Sequence, residues 1–392
     1  MARRVYLHVG VMKSATSYIQ DLCDANRDRL LAQQLLWTRS GDNFLATDDL
    51  LGTQRSRPGL EGAWQRLAQQ IEAHDGDALV SNELLAPVNE RKRGRLVAAL
   101  APAEVSVIVT ARDIARVIPS QWQTGARNRS TVGWRDYTAS LVADDGNEVA
   151  AGFWRRQDLP AIVAHWAEQV TLDRLTVVTV PPSGVAPAVL GERFAAALGV
   201  SADGFEQPPA SNPSVGLLSA ELLRRVNERT ADLEWLEYRW AFKHALARLV
   251  FAERASGEQT MTLDAGARAW ARDRGARIAA ELEASGVRVV GDLADLVPTV
   301  DPPVDEATGE AAADPSDAEL LDTAVDGLVG LGAVLAEARI EHEALVRAVE
   351  ASIQDKVTDA DWEAFTAYEA SLPEPPSERM VESRFVRWWL AR

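Results

Sequence analysis

Short β-branched runs alternate with helical stretches along most of the chain, at residues 5–9, 35–37, 78–81, 105–110 and 175–180. Parallel strands need long crossovers, and helices supply them, so this alternation predicts an α/β fold: a central parallel sheet with helices on both faces, a three-layer sandwich. Helical patterns cover 16–31, 60–73, 91–100, 113–123, 161–169 and 186–198, with more at 216–227, 236–253 and 265–284. In such sheets ligands sit beyond the carboxyl ends of the strands. The residues just after each strand are therefore where chemistry is expected.

The stretch Val5-Tyr-Leu-His-Val-Gly-Val-Met-Lys-Ser-Ala-Thr-Ser-Tyr-Ile-Gln20 runs from a strand through a hydroxyl-rich turn into a helix. That geometry makes an anion cradle. Backbone N–H groups at the helix start point into the turn, the helix dipole favours negative charge there, and Lys13, Ser14, Thr16 and Ser17 add side-chain donors. A phosphate or sulfate fits such a turn. Only two residues separate Gly10 from Lys13, so the spacing of a nucleoside-triphosphatase loop is not met.

The loop resembles the 5′-phosphosulfate-binding loop of the sulfotransferases that use 3′-phosphoadenosine 5′-phosphosulfate (PAPS), whose Lys-Ser/Thr-Gly-Thr turn matches Lys13-Ser14-Ala15-Thr16. Ala15 stands where the family has Gly. If that residue already begins the helix, Ala serves better than Gly, and this is the expectation; a left-handed turn would instead strain it. The fourth strand ends in Thr110-Ala111-Arg112-Asp113, and Ser120 follows Arg112 by eight residues. This resembles the family's 3′-phosphate motif, and a planar guanidinium fork with a nearby hydroxyl suits phosphate oxygens. Further similarity to bacterial members extends the likeness over residues 4–298, including Ser211-Asn212-Pro213-Ser214 and Val289-Val290-Gly291.

The resemblance implies a P-loop-like sulfotransferase fold, PAPS as co-substrate without a metal, and a hydroxyl acceptor on a small molecule, glycan or lipid. It assigns Lys13, Ser14, Ala15, Thr16 and Ser17 to the 5′-phosphosulfate and Arg112 and Ser120 to the 3′-phosphate. Lys13 would also stabilise the departing phosphate. The family's base is a His or Glu; Glu83, just past the third strand, is the first candidate and His8 the second. An acid in Glu83's place also flanks a helix start favourably. The Gly-rich, Lys-containing segment of cytosolic animal sulfotransferases has no counterpart, and Arg127 and Arg129 are the possible substitutes. A phosphotransferase of related topology and a non-catalytic nucleotide-binding or scaffold protein are the alternative readings.

Composition narrows the classes. A net charge of −17 over 392 residues argues against a nucleic-acid surface while leaving room for a local basic pocket. The single Cys23 permits no intrachain disulfide and reads as core, and no His pair has metal-ligand spacing. No apolar run has membrane-spanning length, and Arg3-Arg4 leads directly into the first strand, so a cytoplasmic location without a signal peptide is expected. His74, His165, His244 and His342 lack a motif context. Trp122, Trp134 and Trp154 read as core, with an acceptor wall as the alternative.

Residues 1–300 are expected to form the main domain. Residues 301–319 hold seven acidic side chains, three prolines and no basic one, the composition of a solvated linker. The remaining 320–392 read as helical. Ser316 and Glu319 have capping-box spacing, Thr358 could cap another helix, and Val381, Phe385, Trp388 and Trp389 form a terminal stripe expected to dock on the protein itself.

Overall fold

The computed structural model describes residues 2–52, 59–143, 146–209, 215–299, 315–353 and 359–370. Within them, β1 (Arg4–His8), β2 (Leu35–Trp37), β3 (Asp77–Ser81), β4 (Glu104–Ala111), β5 (Leu175–Thr179) and β6 (Arg288–Val290) form one parallel sheet in the order β2-β3-β1-β4-β5-β6. The first five coincide to within a residue with the runs seen in the sequence. The sixth was not anticipated: three partly exposed edge residues carry no readable period.

Strands β1, β3, β4 and β5 are buried almost throughout, as continuous apolar strands of a parallel sheet covered on both faces must be. Alternation of side chains divides them between two cores. Val5, Leu7, Val80, Val107, Val109 and Val177 pack beneath helices Ala63–Ala73, Glu90–Ala99, Leu159–Val170 and Ala265–Ser285. Tyr6, Leu79, Ile108 and Val178 pack with Ile19 and Cys23 of helix Thr16–Ala25 and Phe194 of helix Ala188–Leu198. Each fully buried Val, Leu or Phe contributes about 1.5–3 kcal/mol.

Several helices differ from the sequence expectation. The stretch 16–31 breaks at Asn26, whose side chain donates to Leu22 O (2.9 Å) and exchanges bonds with the backbone of Glu206 (2.8 Å each). The stretch 236–253 is a short α-turn, a π-helix Arg239–Val250 and a final turn Phe251–Arg254. Helices Ser40–Leu51, Trp134–Ala143 and Glu148–Gln157 went unrecognised. The first buries Asn43, Thr47 and Asp48, polar residues that hide its inward face from a hydrophobicity pattern. The other two occupy a region read as loops.

Helix Asp317–Ile353 opens with the expected box: Ser316 N donates to Glu319 Oε2 (2.9 Å) and Glu319 N to Ser316 Oγ (3.3 Å). Its first turns lie on the π-helix, where Cβ atoms added at Gly330 and Gly327 would come within 2.4 Å of Val250 and 3.2 Å of Phe251. Asp317 and Asp326 pair with Arg225 and Arg254. Residues 301–314 of the acidic stretch, Ser211 to Ser214, Thr358 and the terminal stripe lie outside the described residues.

Candidate active site

The turn between β1 and helix Thr16–Ala25 is fastened to the sheet by a buried polar row. Alternation places Tyr6 and His8 on one face of β1, and register sets His8 opposite Ser81 of β3. His8 Nδ1 lies 2.8 Å from Ser81 Oγ and Nε2 lies 3.0 Å from Thr110 Oγ1. Thr110 Oγ1 is 2.8 Å from Ser14 Oγ, which donates to Val11 O, while Gln20 Nε2 donates to Ser81 Oγ at 3.1 Å.

Counting protons fixes the direction of this row. Ser14 has one hydroxyl proton and Val11 O can only accept it, so Ser14 Oγ must accept from Thr110. Thr110 has then used its proton and must accept from His8 Nε2–H. The His8 Nδ1 lone pair consequently receives the Ser81 proton. His8 is a neutral Nε2–H tautomer, and burial lowers its pKa to about 3. Both ring nitrogens of His8 are engaged in this row. The Ser14 hydroxyl likewise anchors the turn, through Val11 O and Thr110 Oγ1.

Gly10 lets the chain cross this row. A Cβ there would stand 2.5 Å from Thr110 Oγ1, 2.7 Å from Thr16 Oγ1 and 2.9 Å from His8 Nε2. Past it the backbone is left-handed at Lys13 (φ 69°) and Ala15 (φ 64°). Ala15 is thus the residue before the helix, not its first residue, and the expectation that Ala would suit this position fails; it bears the steric cost that Gly avoids. The two reversals leave the first N–H groups of helix Thr16–Ala25 without intrahelical partners, facing the turn. Thr16 Oγ1 is buried there with no hydrogen-bond partner, and Ser17 is exposed.

Charged groups converge on the same turn. Lys13 makes no ion pair among the described residues, and its ammonium pKa is lowered to about 8 by burial first and then by Arg127, with Lys243 and Arg112 adding to the effect and Glu83 opposing it. Glu83 opens a single 3-10 turn after β3. Asn82 caps that turn by accepting Leu84 N–H (2.9 Å), and its amide is held by Thr47 Oγ1 (2.6 Å). Burial raises the Glu83 pKa, opposed by its own backbone bond and by Lys13, and Oε2 is buried without a partner.

Arg112 follows β4, and Asp113 caps the next helix, Ile114–Arg127, through Arg116 N–H (3.0 Å). The Arg112 guanidinium pKa is lowered to about 10 by burial and by Arg116, and its Nε has no partner. With Ala15, Tyr18, Arg116, Pro181 and Leu190 it lines a cleft of about 280 Å³. Ser120 lies four residues beyond Arg116 on the same helix face, and no side-chain bond joins it to Arg112 among the described residues.

Of the two substitutes, Arg129 is committed elsewhere. It donates to Thr230 O and Leu233 O and stacks over Tyr238 at 4.8 Å. Arg127 makes no such bonds among the described residues, and burial lowers its pKa. Lys243, on the π-helix, had no motif to reveal it. Trp122 and Trp134 are core rings in edge contact (5.6 Å), whereas Trp154 lines a second cleft of about 580 Å³ with Arg93 and His165.

No helix among the described residues is long and apolar enough to cross a membrane. No family model matches the chain, and no curated protein matches it. A sulfotransferase from Alicyclobacillus acidocaldarius, known from its crystal structure, aligns with 61% of this chain and 100% of its own at 15% identity and a TM-score of 0.33. At that distance the likeness supports no statement about activity, which has to come from the site itself.

Proposed function

We propose that the protein is a sulfotransferase that moves a sulfuryl group from PAPS to a hydroxyl of a small-molecule, glycan or lipid acceptor. The observation that carries this reading is the gathering of Lys13, Arg112 and the open helix start, all without anionic partners among the described residues, beside the one raised-pKa carboxyl of Glu83. Partly buried cations without partners favour an anion strongly.

In this reading Lys13, the N–H groups from Ala15 to Ser17 and the Thr16 hydroxyl hold the 5′-phosphosulfate, and Ser14 keeps the turn on the sheet. Arg112 and Ser120 take the 3′-phosphate. Glu83 accepts the proton of the acceptor hydroxyl as its oxygen bonds to sulfur. The bond from sulfur to the bridging phosphate oxygen breaks, and its electron pair leaves on 3′-phosphoadenosine 5′-phosphate, stabilised by Lys13. His8 orders the turn and does not titrate in the working range.

Calorimetry with 3′-phosphoadenosine 5′-phosphate tests the assignment. One molecule should bind per chain, and Arg112→Ala should weaken binding at least tenfold, a loss in the range of one charge-assisted contact, while the melting temperature stays within a few degrees. Absence of binding to the unaltered protein would sink the proposal.

A further inference from the structure

The cleft of about 580 Å³ shares no residue with the one that Arg112 lines, and its volume is that of a small-molecule site. It opens between the starts of helices Glu90–Ala99 and Leu159–Val170. Both of its walls run into the candidate active site. Ala86 borders it, and the Ala86 N–H donates to Glu83 O at 3.4 Å. Asp158 borders it on the facing side, directly after Gln157, whose Nε2 donates to Met12 O at 2.8 Å beside Lys13.

The lining mixes signs. Glu90, Asp158 and Glu168 supply three carboxylates, Arg93 and Arg155 two guanidiniums, and His165 an imidazole. Some of these groups are already engaged: Asp158 Oδ1 accepts from Ala161 N–H (3.2 Å), Arg93 Nη1 donates to Val88 O (2.5 Å), and Arg93 Nη2 stands 3.8 Å from Glu168 Oε2, too far for a hydrogen bond. Two enclosed donors have no partner, Arg93 Nε, on a side chain only 6% exposed, and Trp154 Nε1. Trp154, Pro87 and Ile162 add an apolar wall.

This chemistry discriminates among ligands. An alkyl chain would strip water from carboxylates and guanidiniums and return no hydrogen bond. An anionic ligand would meet three carboxylates against two guanidiniums, and a cationic one the buried Arg93. A hydroxyl both donates and accepts, so a ring that bears several satisfies carboxylate and guanidinium alike, while its C–H face packs on the apolar wall. Resting on the sulfotransferase reading, we propose that this cleft holds the acceptor and that the acceptor is an uncharged carbohydrate, seated between Trp154 and Arg93 with its reacting hydroxyl toward Glu83.

Ligand-observed NMR tests this on the full chain saturated with 3′-phosphoadenosine 5′-phosphate, with cellobiose, lactose, glucuronate and n-octanol as separate probes. At least one disaccharide should bind, more tightly than glucuronate or octanol. Trp154→Ala should weaken that binding tenfold or more while nucleotide affinity changes less than threefold. Ala161→Phe fills the cleft from a half-buried position without removing a hydrogen bond, and it repeats the test should Trp154→Ala fold poorly. With labelled PAPS in place of the nucleotide, the bound disaccharide should become sulfated. Preference for octanol or glucuronate, no disaccharide binding, binding unchanged in the folded variants, or binding without transfer would each overturn the inference. Failure of the unaltered protein to bind the nucleotide would reject the sulfotransferase reading itself, a separate result.

Discussion

Lys13 and Glu83 pull each other's ionisation in opposite directions from the same turn, and their titrations should frame the rate. In the proposed reaction, transfer needs Glu83 ionised and Lys13 protonated. Because burial raises Glu83, the acid limb of kcat/KM is expected above pH 4.5, the ordinary value; because Lys13 is lowered to about 8, the alkaline limb should begin near pH 8. Lys13→Arg should move the alkaline limb beyond the measurable range. Glu83→Gln should erase the acid limb with a loss of about 10²–10⁴ in rate. An acid limb at or below pH 4.5 would contradict the Glu83 assignment, and a rate that does not fall up to pH 9 the Lys13 one. A second residue-scale expectation concerns Ala15. Its φ of 64° makes Ala15→Gly stabilising despite the greater freedom Gly gives the unfolded chain, by up to about 1 kcal/mol in denaturant unfolding. A loss of stability would mean that the left-handed turn is not the solution conformation.

At the scale of elements, the cradle depends less on its own residues than on two neighbouring strands. Ser81 from β3 and Thr110 from β4 hold His8 between them, and Thr110 donates a hydrogen bond to Ser14 in the turn. Thr110→Val removes that relay, leaving His8 Nε2–H unpaired in the core, and should cost about 1–3 kcal/mol in unfolding free energy. Thr110→Ser keeps the hydroxyl and should cost less than about 1 kcal/mol. A cost for Thr110→Val no greater than that for Thr110→Ser would mean that the hydrogen bonds contribute no more than the methyl that Ser lacks. The strand ends and the Lys13 turn were legible because strand, turn and helix lie consecutively in the chain. The row was not, because Ser14 and Thr110 meet only when β1 and β4 pair in register.

For the molecule as a whole, helix Asp317–Ile353 follows the α/β body in the chain. Thirty-seven residues give it a length of about 55 Å, and its first turns seat Gly327 and Gly330 against the π-helix that carries Lys243. Gly330→Leu should push the two apart, costing about 1–3 kcal/mol through overpacking. Unfolding curves in denaturant read this effect. Unchanged stability would show that the glycine contact is not closed in solution.

The division between chain and fold follows from the range of the forces involved. Strand and helix periods, the hydroxyl-rich turn and the Arg112-Ser120 spacing are local patterns, so the parallel sheet, the cradle and the Ser316 box could be read directly. Three features needed the tertiary structure. The left-handed Ala15 depends on how the turn is pulled over Gly10. The neutral, fully engaged His8 depends on hydroxyls from two other strands, and the second cleft depends on helices Glu90–Ala99 and Leu159–Val170, far apart in the chain, coming together. A side chain's charge is written in the sequence, whereas its desolvation and its neighbours, which decide what that charge can do, exist only after folding.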